Sequence, residues 1–554
     1  MWRQSACATG FAGLIRRVQV SQTVHALVGQ CWTWRSLVRS LSATLIAAAI
    51  SGCANVQFDV PRERSFAIDD TAHSALGREV ALTAVRHPFM SGFKVLASGA
   101  SAFGTRAALA DAAERTLDLQ YYSVGEGLST DLLLLRIVAA AERGVRIRIL
   151  LDDIYAPTRS FAHRATAAHP GIQVRLFNPF LSGGSSSWGR LGEFVVDGSR
   201  LNRRMHNKLW VADNSAAVIG SRNLGDEYFD AHAAGNFSDV DLLAVGPIVQ
   251  ELSRAFDVYW NSPSSIPMAA FADSSGTADR PRVRALLRER AAGCEARLPC
   301  RQLSERLAGQ SQRPVADQLI WGTARLVYDQ PDQEKIGPAS GIEHGLMRDD
   351  PSGSRTQSEL LLVTPYFVPG ADALLHLAEM RSRGVRVAIL TNSLASTDSP
   401  AAHAGYARHR QELLREGVEL FEMRTQPGAA HRVSHRWGPA SPDSLHAKII
   451  VQDRTRAIVG SLNQDPRSRL HNTEAWIAID SVELATELSA LFDEGVDAHH
   501  SFKVQLSASG AATSLKWHTE EQGSDVVYDK EPMTSSWMRL WRGVLGVLLP
   551  EHML

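Results

Sequence analysis

The sequence predicts an α/β fold of two homologous lobes, packed about a pseudo-two-fold axis around one shared cleft. Three observations carry that prediction. The first is a repeat of long period: Arg143-Gly144-Val145-Arg146 returns as Arg383-Gly384-Val385-Arg386, and His206 to Asn223 realigns with His446 to Asn463 at the same offset of 240, with eight of eighteen positions identical. The second is that apolar, β-rich runs alternate with helical patterns in both copies, which is the signature of mixed or parallel sheets flanked by helices. The third is composition. A chain of 554 residues that is 44% hydrophobic and 21% charged, with net charge −1, has ample core for two to four domains and reads as neither disordered nor polytopic. The balanced charge provides no global basic field, so nucleic acid is not an expected partner.

Taken in order, residues 1–53 read as a targeting segment. Arg35 and Arg39 precede the apolar run Leu41 to Ile50, which ends in Ser51-Gly52-Cys53. Ten helical residues reach about 15 Å, half a bilayer core, so the run suits a signal peptide and not a spanning helix. Its Ile-Ser-Gly-Cys ending resembles a bacterial lipobox, which implies cleavage before Cys53, a lipid anchor on that thiol and a location in the bacterial cell envelope. A chance apolar stretch is the plainer alternative. The first lobe is expected over 70–262, with helical patterns at Ala107 to Ala113, Leu132 to Glu142 and Val249 to Tyr259. Gly183 to Gly189 reads as a surface loop. Residues 263–355, rich in Arg, Gly, Ser and Pro, read as a linker or insertion with one helical stretch, Val283 to Glu305; Cys294 and Cys300 within it are spaced for a local disulfide or for two free thiols. The second lobe follows over 356–497, with helices at Ala373 to Arg381 and Val482 to Phe492. A C-terminal extension, 498–554, places Trp537, Leu540, Trp541, Val544 and Leu548 on one helical face, suited either to docking on the core or to a lipid interface.

The chemistry lies in the repeat. Each copy holds His-x-Lys, four residues, Asp, then six residues and Gly-Ser-x-Asn: His206, Lys208, Asp213, Ser221 and Asn223 in the first, His446, Lys448, Asp453, Ser461 and Asn463 in the second. On a strand, residues i and i+2 share a face, so each imidazole converges with an ammonium. Two such pairs facing one cleft give two His for nucleophilic and acid–base work and two Lys to hold an anion, with a phosphoryl group as the natural candidate. The chain uses 51 Arg against 7 Lys, yet both positions are Lys; chance would place Lys at both with odds of roughly one in 70, so the compact ammonium itself is required. Asp213 and Asp453 have the weaker claim, since an Asp closing a strand is often a turn-former. By the repeat, Asp239 corresponds to Glu474, and these are the candidates to orient the two His, with Asp241 as runner-up.

The duplicated motif resembles the phospholipase D superfamily. Gly220 to Phe229, Asn392-Ser393-Leu394 with Asp398, Gly460 to Ser468 and Asn472-Thr473-Glu474 are similar to the bacterial cardiolipin synthase C-like branch. The resemblance implies two phospholipase D-like lobes and a metal-independent phosphatidyltransferase that makes cardiolipin from two phospholipids, through a phosphohistidine and without a cofactor. It implies His206, Lys208, Asp213, His446, Lys448 and Asp453 as the catalytic set and Ser221, Asn223, Ser461 and Asn463 as phosphate-binding. Phospholipid substrates, a membrane and a monomeric two-lobe site are the expected partners and state. A hydrolase or other phosphodiesterase, and a lipid-binding envelope lipoprotein with an idle site, are the alternatives. Tyr121-Tyr122 and Pro365 to Gly370 are candidates to line the cleft, and His403 and Tyr406 to touch a headgroup. His431 and His435 form an HxxxH without a third ligand or glutamate, so no metal site is expected.

Overall fold

Both halves of the chain lay down the same order of elements. The computed structural model describes residues 60–181, 187–232, 235–271, 280–295, 318–332, 356–425, 444–509 and 512–549. Cys53, Cys300, His431, His435 and residues 183–186 lie outside them, as does the side chain of Cys294. The first half contributes β1 (Ser91–Leu96), β2 (Thr116–Tyr121), β3 (Arg146–Asp152), β4 (Ile172–Phe177), β5 (Arg204–Met205), β6 (Leu209–Ala212), β7 (Ala216–Gly220), β8 (Phe237–Ser238), β9 (Asp241–Val245) and β10 (Ser265–Pro267). After β11 (Ile320–Tyr328), the second half contributes β12 (Glu359–Val363), β13 (Arg386–Asn392), β14 (Glu419–Met423), β15 (Ser444–Leu445), β16 (Ile449–Gln452), β17 (Arg456–Gly460), β18 (Asn472–Thr473) and β19 (Ala475–Asp480). β20 (Ser501–Ser509), β21 (Ala512–Glu521) and β22 (Ser524–Tyr528) follow.

Hydrogen-bonded neighbours in the first half run β10-β4-β3-β2-β6-β7-β9-β1-β11, with β2, β3 and β4 parallel and the other pairings antiparallel. The second half runs β11-β19-β17-β16-β12-β13-β14-β20-β21-β22, with β12, β13 and β14 parallel. This is the mixed α/β architecture expected, with one addition. β11 lies inside the segment read as a linker, yet Ile320 to Phe93 pairing ties it to β1 while Thr323 to Tyr328 pair with β19, so one strand joins the two half-sheets. Its short alternating pattern is masked in the sequence by the polar stretches around it.

The repeated Arg-Gly-Val-Arg marks a helix end. Helices Leu128–Glu142 and Ala371–Ser382 stop at Gly144 and Gly384, whose φ of 92° and 84° turn the chain into β3 and β13. The other repeated helices, Pro247–Trp260 and Val482–Gly495, enter through Pro247 and through a Ser481 side chain that accepts from Leu484 N. They are buried between the half-sheets: Leu252, Phe256 and Trp260 share one core with Leu361, Leu390, Val459, Leu488 and Phe492. A fully buried large apolar side chain contributes about 1.5–3 kcal/mol, so this shared core holds the lobes as one body. Among the described residues no helix is long and apolar enough to cross a membrane.

Candidate active site

Short strands exchanged between the lobes position both His. β5 pairs in parallel with β18 of the other lobe, and β15 with β8, a reciprocity that a two-fold relation produces. The His-x-Lys triplets are the extended links leaving β5 and β15, not strand interiors as the spacing predicts. His206 N donates to Thr473 O at 2.9 Å, and His446 N to Ser238 O at 2.9 Å. The last residues of β3 and β13 fix the preceding backbone: Asp152 Oδ2 accepts from Met205 N at 2.9 Å, and Asn392 Oδ1 from Leu445 N at 2.8 Å.

Each imidazole therefore reaches the carboxylate of the opposite lobe. His206 Nδ1 lies 2.8 Å from Glu474 Oε2, and His446 Nδ1 lies 2.7 Å from Asp239 Oδ2. Both carboxylates have no solvent exposure of note, and both are held by serines: Ser221 Oγ donates to Asp239, Ser461 Oγ to Glu474 Oε2 at 2.5 Å, and Ser468 Oγ to Glu474 Oε1 at 2.7 Å. A carboxylate on Nδ1 selects the tautomer that carries its proton there and leaves Nε2 with a lone pair. Among the described residues nothing hydrogen-bonds His206 Nε2.

Lys208 and Lys448 lie beside their histidines, Nζ donating to the His206 and His446 carbonyls at 2.5 and 2.6 Å. Burial, then the mutual repulsion of these cations, sets the protonation of the cluster. His206 is pushed well below the ordinary imidazole value by burial, then by Lys208 and Lys448. His446 is lowered by burial and Lys448 against the pull of Asp239. Burial would raise the Asp239 carboxyl, but the charge and hydrogen bond of His446, with Arg222 and Lys448, hold it below the usual range. Lys208 is lowered well below its ordinary value by burial, and Lys448 to about 8 from the same cause.

Aromatic rings frame both His. Tyr122 meets His206 edge-on at 4.9 Å and in turn meets Tyr155 at 5.6 Å. Tyr228 and Phe237 flank His446 at 5.4 and 5.1 Å, and Tyr366 donates to Asp398 at 2.8 Å on the same side. Tyr228 and Phe237 were not singled out by sequence, although Tyr228 sits in the Gly220 to Phe229 stretch. Asp152 was not singled out by sequence either, although the 240 offset relates it to Asn392 and could have found it.

Several expected residues do other work. Tyr121 is in the core, its hydroxyl accepting from Arg106 Nε, and Asp241 pairs with Arg106 at 2.9 Å instead of orienting a His. His403 and Tyr406 pack around Arg410, which pairs with Glu422 and Glu531, and neither faces the cleft lysines. Ser221 and Ser461, expected on phosphate, are spent on the carboxylates. Asn223 Nδ2 donates to Tyr228 Oη at 3.0 Å, whereas Asn463 Oδ1 is buried with no hydrogen-bond partner. The glycines before the serines are steric: a Cβ on Gly220 would collide with Asp241, and one on Gly460 with the Ala475 carbonyl.

Asp213 and Asp453, which had the weaker claim, stand apart from the His. They sit at φ of 50° and 52° in the turns after β6 and β16, at the far end of those strands from the His. Asp213 accepts from the backbone N–H groups of Glu114, Arg115 and Thr116. Asp453 does the same for Gln357, Ser358 and Glu359. Each clamps the start of the neighbouring antiparallel strand, β2 or β12. Asp213→Ala is expected to destabilise the chain by about 1–3 kcal/mol, since the buried Thr116 N–H and two part-buried donors lose their acceptor, while turnover per folded molecule changes less than threefold. Urea titration beside an activity assay checks this.

Comparison with known proteins shows the family. The profile of the family described as "Cardiolipin synthase, PLD-like domain" matches residues 107–260 and 354–495. Cardiolipin synthase C of Escherichia coli (strain K12) is 36% identical over 479 residues, spanning 85% of this chain and 97% of that one. Cardiolipin synthase B of Shigella flexneri is 27% identical over 347 residues, 62% of this chain and 65% of the relative. A crystal structure of phosphatidylserine synthase from Haemophilus influenzae Rd KW20 superposes with a TM-score of 0.51 at 12% identity, over 74% of this chain and 87% of that one, a likeness of fold.

Proposed function

Because the chain belongs to the cardiolipin synthase family with a phospholipase D-like domain, we propose that it is a phosphatidyltransferase that makes cardiolipin from two phospholipids through a phosphohistidine. The observation that carries this reading is the pair of imidazoles, each held at Nδ1 by the other lobe's carboxylate, beside two buried ammonium groups. His206 is assigned as the nucleophile on geometry: its contacts are with Glu474 at Nδ1, which leaves Nε2 open, whereas Lys448 Nζ lies 3.4 Å from His446 Nε2. Its Nε2 attacks the donor phosphorus, a P–N bond forms, and the P–O bond to the headgroup alcohol breaks. His446, entering the step as the imidazolium that Asp239 stabilises, gives that oxygen its Nε2 proton, then takes the proton of the acceptor hydroxyl, whose oxygen attacks phosphorus and expels His206. Lys208, Lys448, Asn223 and Asn463 stabilise the charge on the phosphoryl oxygens. Glu474 and Asp239 orient the His and offset the cation that develops on each. In this reading Cys53 bears a lipid anchor and holds the chain at an envelope membrane, and the two-lobe monomer is complete in itself.

The test is mass spectrometry of lipids after incubating purified protein, without added metal, with labelled phosphatidylglycerol and then with phosphatidylethanolamine added. Label is expected in cardiolipin and absent with His206→Ala. Phosphatidic acid as sole product would replace the transferase by a hydrolase.

The buried lysines also predict a pH profile. Lys448, lowered to about 8, is charged below that pH and neutral above it, and Lys208 is lowered in the same direction, so kcat/KM falls on an alkaline limb that begins no higher than about pH 8. Protonation of His206, lowered well below 6.5, places the acid limb below that value. Lys448→Arg, which stays charged, removes the Lys448 share of that limb at a lower plateau. A limb near pH 10 in the parent protein would contradict the assignment.

A further inference from the structure

We propose that two exposed apolar helices, one on each lobe at the cleft rim, form a face that docks on an anionic phospholipid bilayer and turns the cleft toward it. This rests on the phosphatidyltransferase reading for why a bilayer lies there. On the first lobe, the rim is reached from His206 through Tyr122 to Tyr155, which is 47% exposed. The neighbouring Ile154 carbonyl accepts from Arg190 Nη1 at 2.9 Å, and Arg190 also pairs with Asp153 at 3.1 Å. Arg190 thereby fixes the helix Ser187–Val196 beside the rim. That helix leaves Phe194 41%, Val195 78% and Val196 79% exposed, and Leu191 is also exposed.

On the second lobe, the rim carries Tyr366 and the exposed Asp398, followed at once by the helix Pro400–Arg415. The C-terminal helix Ser536–Leu548 lies along it. Arg408 Nη2 donates to the Gly546 and Leu549 carbonyls, and Arg542 acts electrostatically on His403. Both pairings have an offset near 139, so the helices run in the same direction, and the Trp537 end of the C-terminal helix lies toward the end of its neighbour that follows Asp398. No residue of this helix is buried. Trp537 and Trp541 stack at 6.3 Å and are 68% and 48% exposed, with Leu540 and Leu548 also open.

Two features specify a lipid surface as the occupant. The C-terminal helix has no carboxylate in thirteen residues; Arg542 shares Glu531 with Arg410, while Arg539 bonds the uncharged Thr534 and Ser536 and keeps a positive charge that complements an anionic headgroup layer. Its exposed aromatic rings are indoles, whose apolar body and polar N–H suit the headgroup boundary. Both patches border the opening through which a diacyl lipid would reach His206 and His446, so one bilayer engages both and supplies the site. The sequence left docking on the core as the other choice for the C-terminal helix. The structure has it resting on a neighbouring helix by backbone contacts while its rings point outward.

The experiment uses sucrose-loaded vesicles of phosphatidylglycerol and phosphatidylcholine, and the full chain carrying Cys53→Ser and His206→Ala, so that neither an anchor nor turnover contributes. Phe194→Ser with Val195→Ser, and Trp537→Ser with Trp541→Ser, are each expected to weaken sedimentation at least tenfold. With His206 restored, both pairs are expected to lose turnover on vesicles and keep it on dispersed short-chain phosphatidylglycerol. Brominated lipids are expected to quench the fluorescence that disappears with the Trp537 and Trp541 substitutions. Unchanged sedimentation, no such quenching, or a dimer in gel filtration that these substitutions dissociate would each overturn the proposal. Vesicle binding by a chain that turns over no phospholipid would leave this face standing and remove the transferase reading.

Discussion

His206→Ala is expected to lower phosphatidyl transfer by about 10⁴-fold or more, the loss typical of removing a covalent nucleophile that works as a unit with its base. In the proposed mechanism the P–N bond forms on His206. His446 holds the equivalent place, but it is engaged as the proton carrier. His446→Ala is therefore expected to differ in kind. It removes a general acid and base, worth about 10²–10⁴-fold, and most of that loss vanishes in the first half-reaction when the leaving group is an aryl alcohol that departs without a proton. Burst kinetics with an aryl phosphodiester separate the two: a burst of phenol in His446→Ala and none in His206→Ala. Equal bursts from both variants would contradict the assignment of roles.

The second large effect crosses the lobe boundary. Glu474→Gln is expected to lower turnover by about 10²–10⁴-fold with the fold intact, because an amide that donates to Nδ1 imposes the tautomer whose Nε2 carries the proton. The contact is with His206 of the other lobe at 2.8 Å, although Glu474 and His446 share a lobe. Asp239→Asn is expected to impair the steps that His446 performs, at 2.7 Å across the same boundary. Losing the carboxylate also removes the charge that favours the His446 imidazolium, so the proton-donating step of Asp239→Asn weakens further as pH rises, while the acid limb set by His206 stays in place. A purely structural role would lower the melting temperature and leave the pH profile in place. Measuring both separates the cases.

Much of the fold was legible because the repeat is periodic in chemistry as well as in hydrophobicity. Arg143-Gly144 and Arg383-Gly384 announce helix ends at a positive φ, and both strands after them stand where the apolar runs put them. The His, the Lys and the two carboxylates are also found by the repeat. Which carboxylate serves which His was not legible, since that depends on the two-residue strands β5, β8, β15 and β18, too short to leave a pattern and formed only when the lobes meet. The same blindness explains Asp213, Ser221 and Ser461. The motif ties these residues to the His by spacing, yet it cannot distinguish a side chain that contacts phosphate from one that braces a strand or a carboxylate. Tyr121 and Tyr122 are adjacent and point to opposite faces of their strand, so one enters the core with Arg106 and the other meets His206. His403 and Tyr406 sit near Asp398 in sequence, but the helix they occupy turns them toward Arg410 and the C-terminal segment.

The covalent step is the centre of the account. The direct measurement is the intact mass of the protein, and of its peptides, after rapid mixing of the His446→Ala variant with phosphatidylglycerol in metal-free buffer and quenching at alkaline pH, where a phosphoramidate survives. The account predicts a phosphatidyl adduct on His206 Nε2 in that variant and none in His206→Ala. An adduct on another residue, or cardiolipin formed with no adduct on any residue, would contradict it.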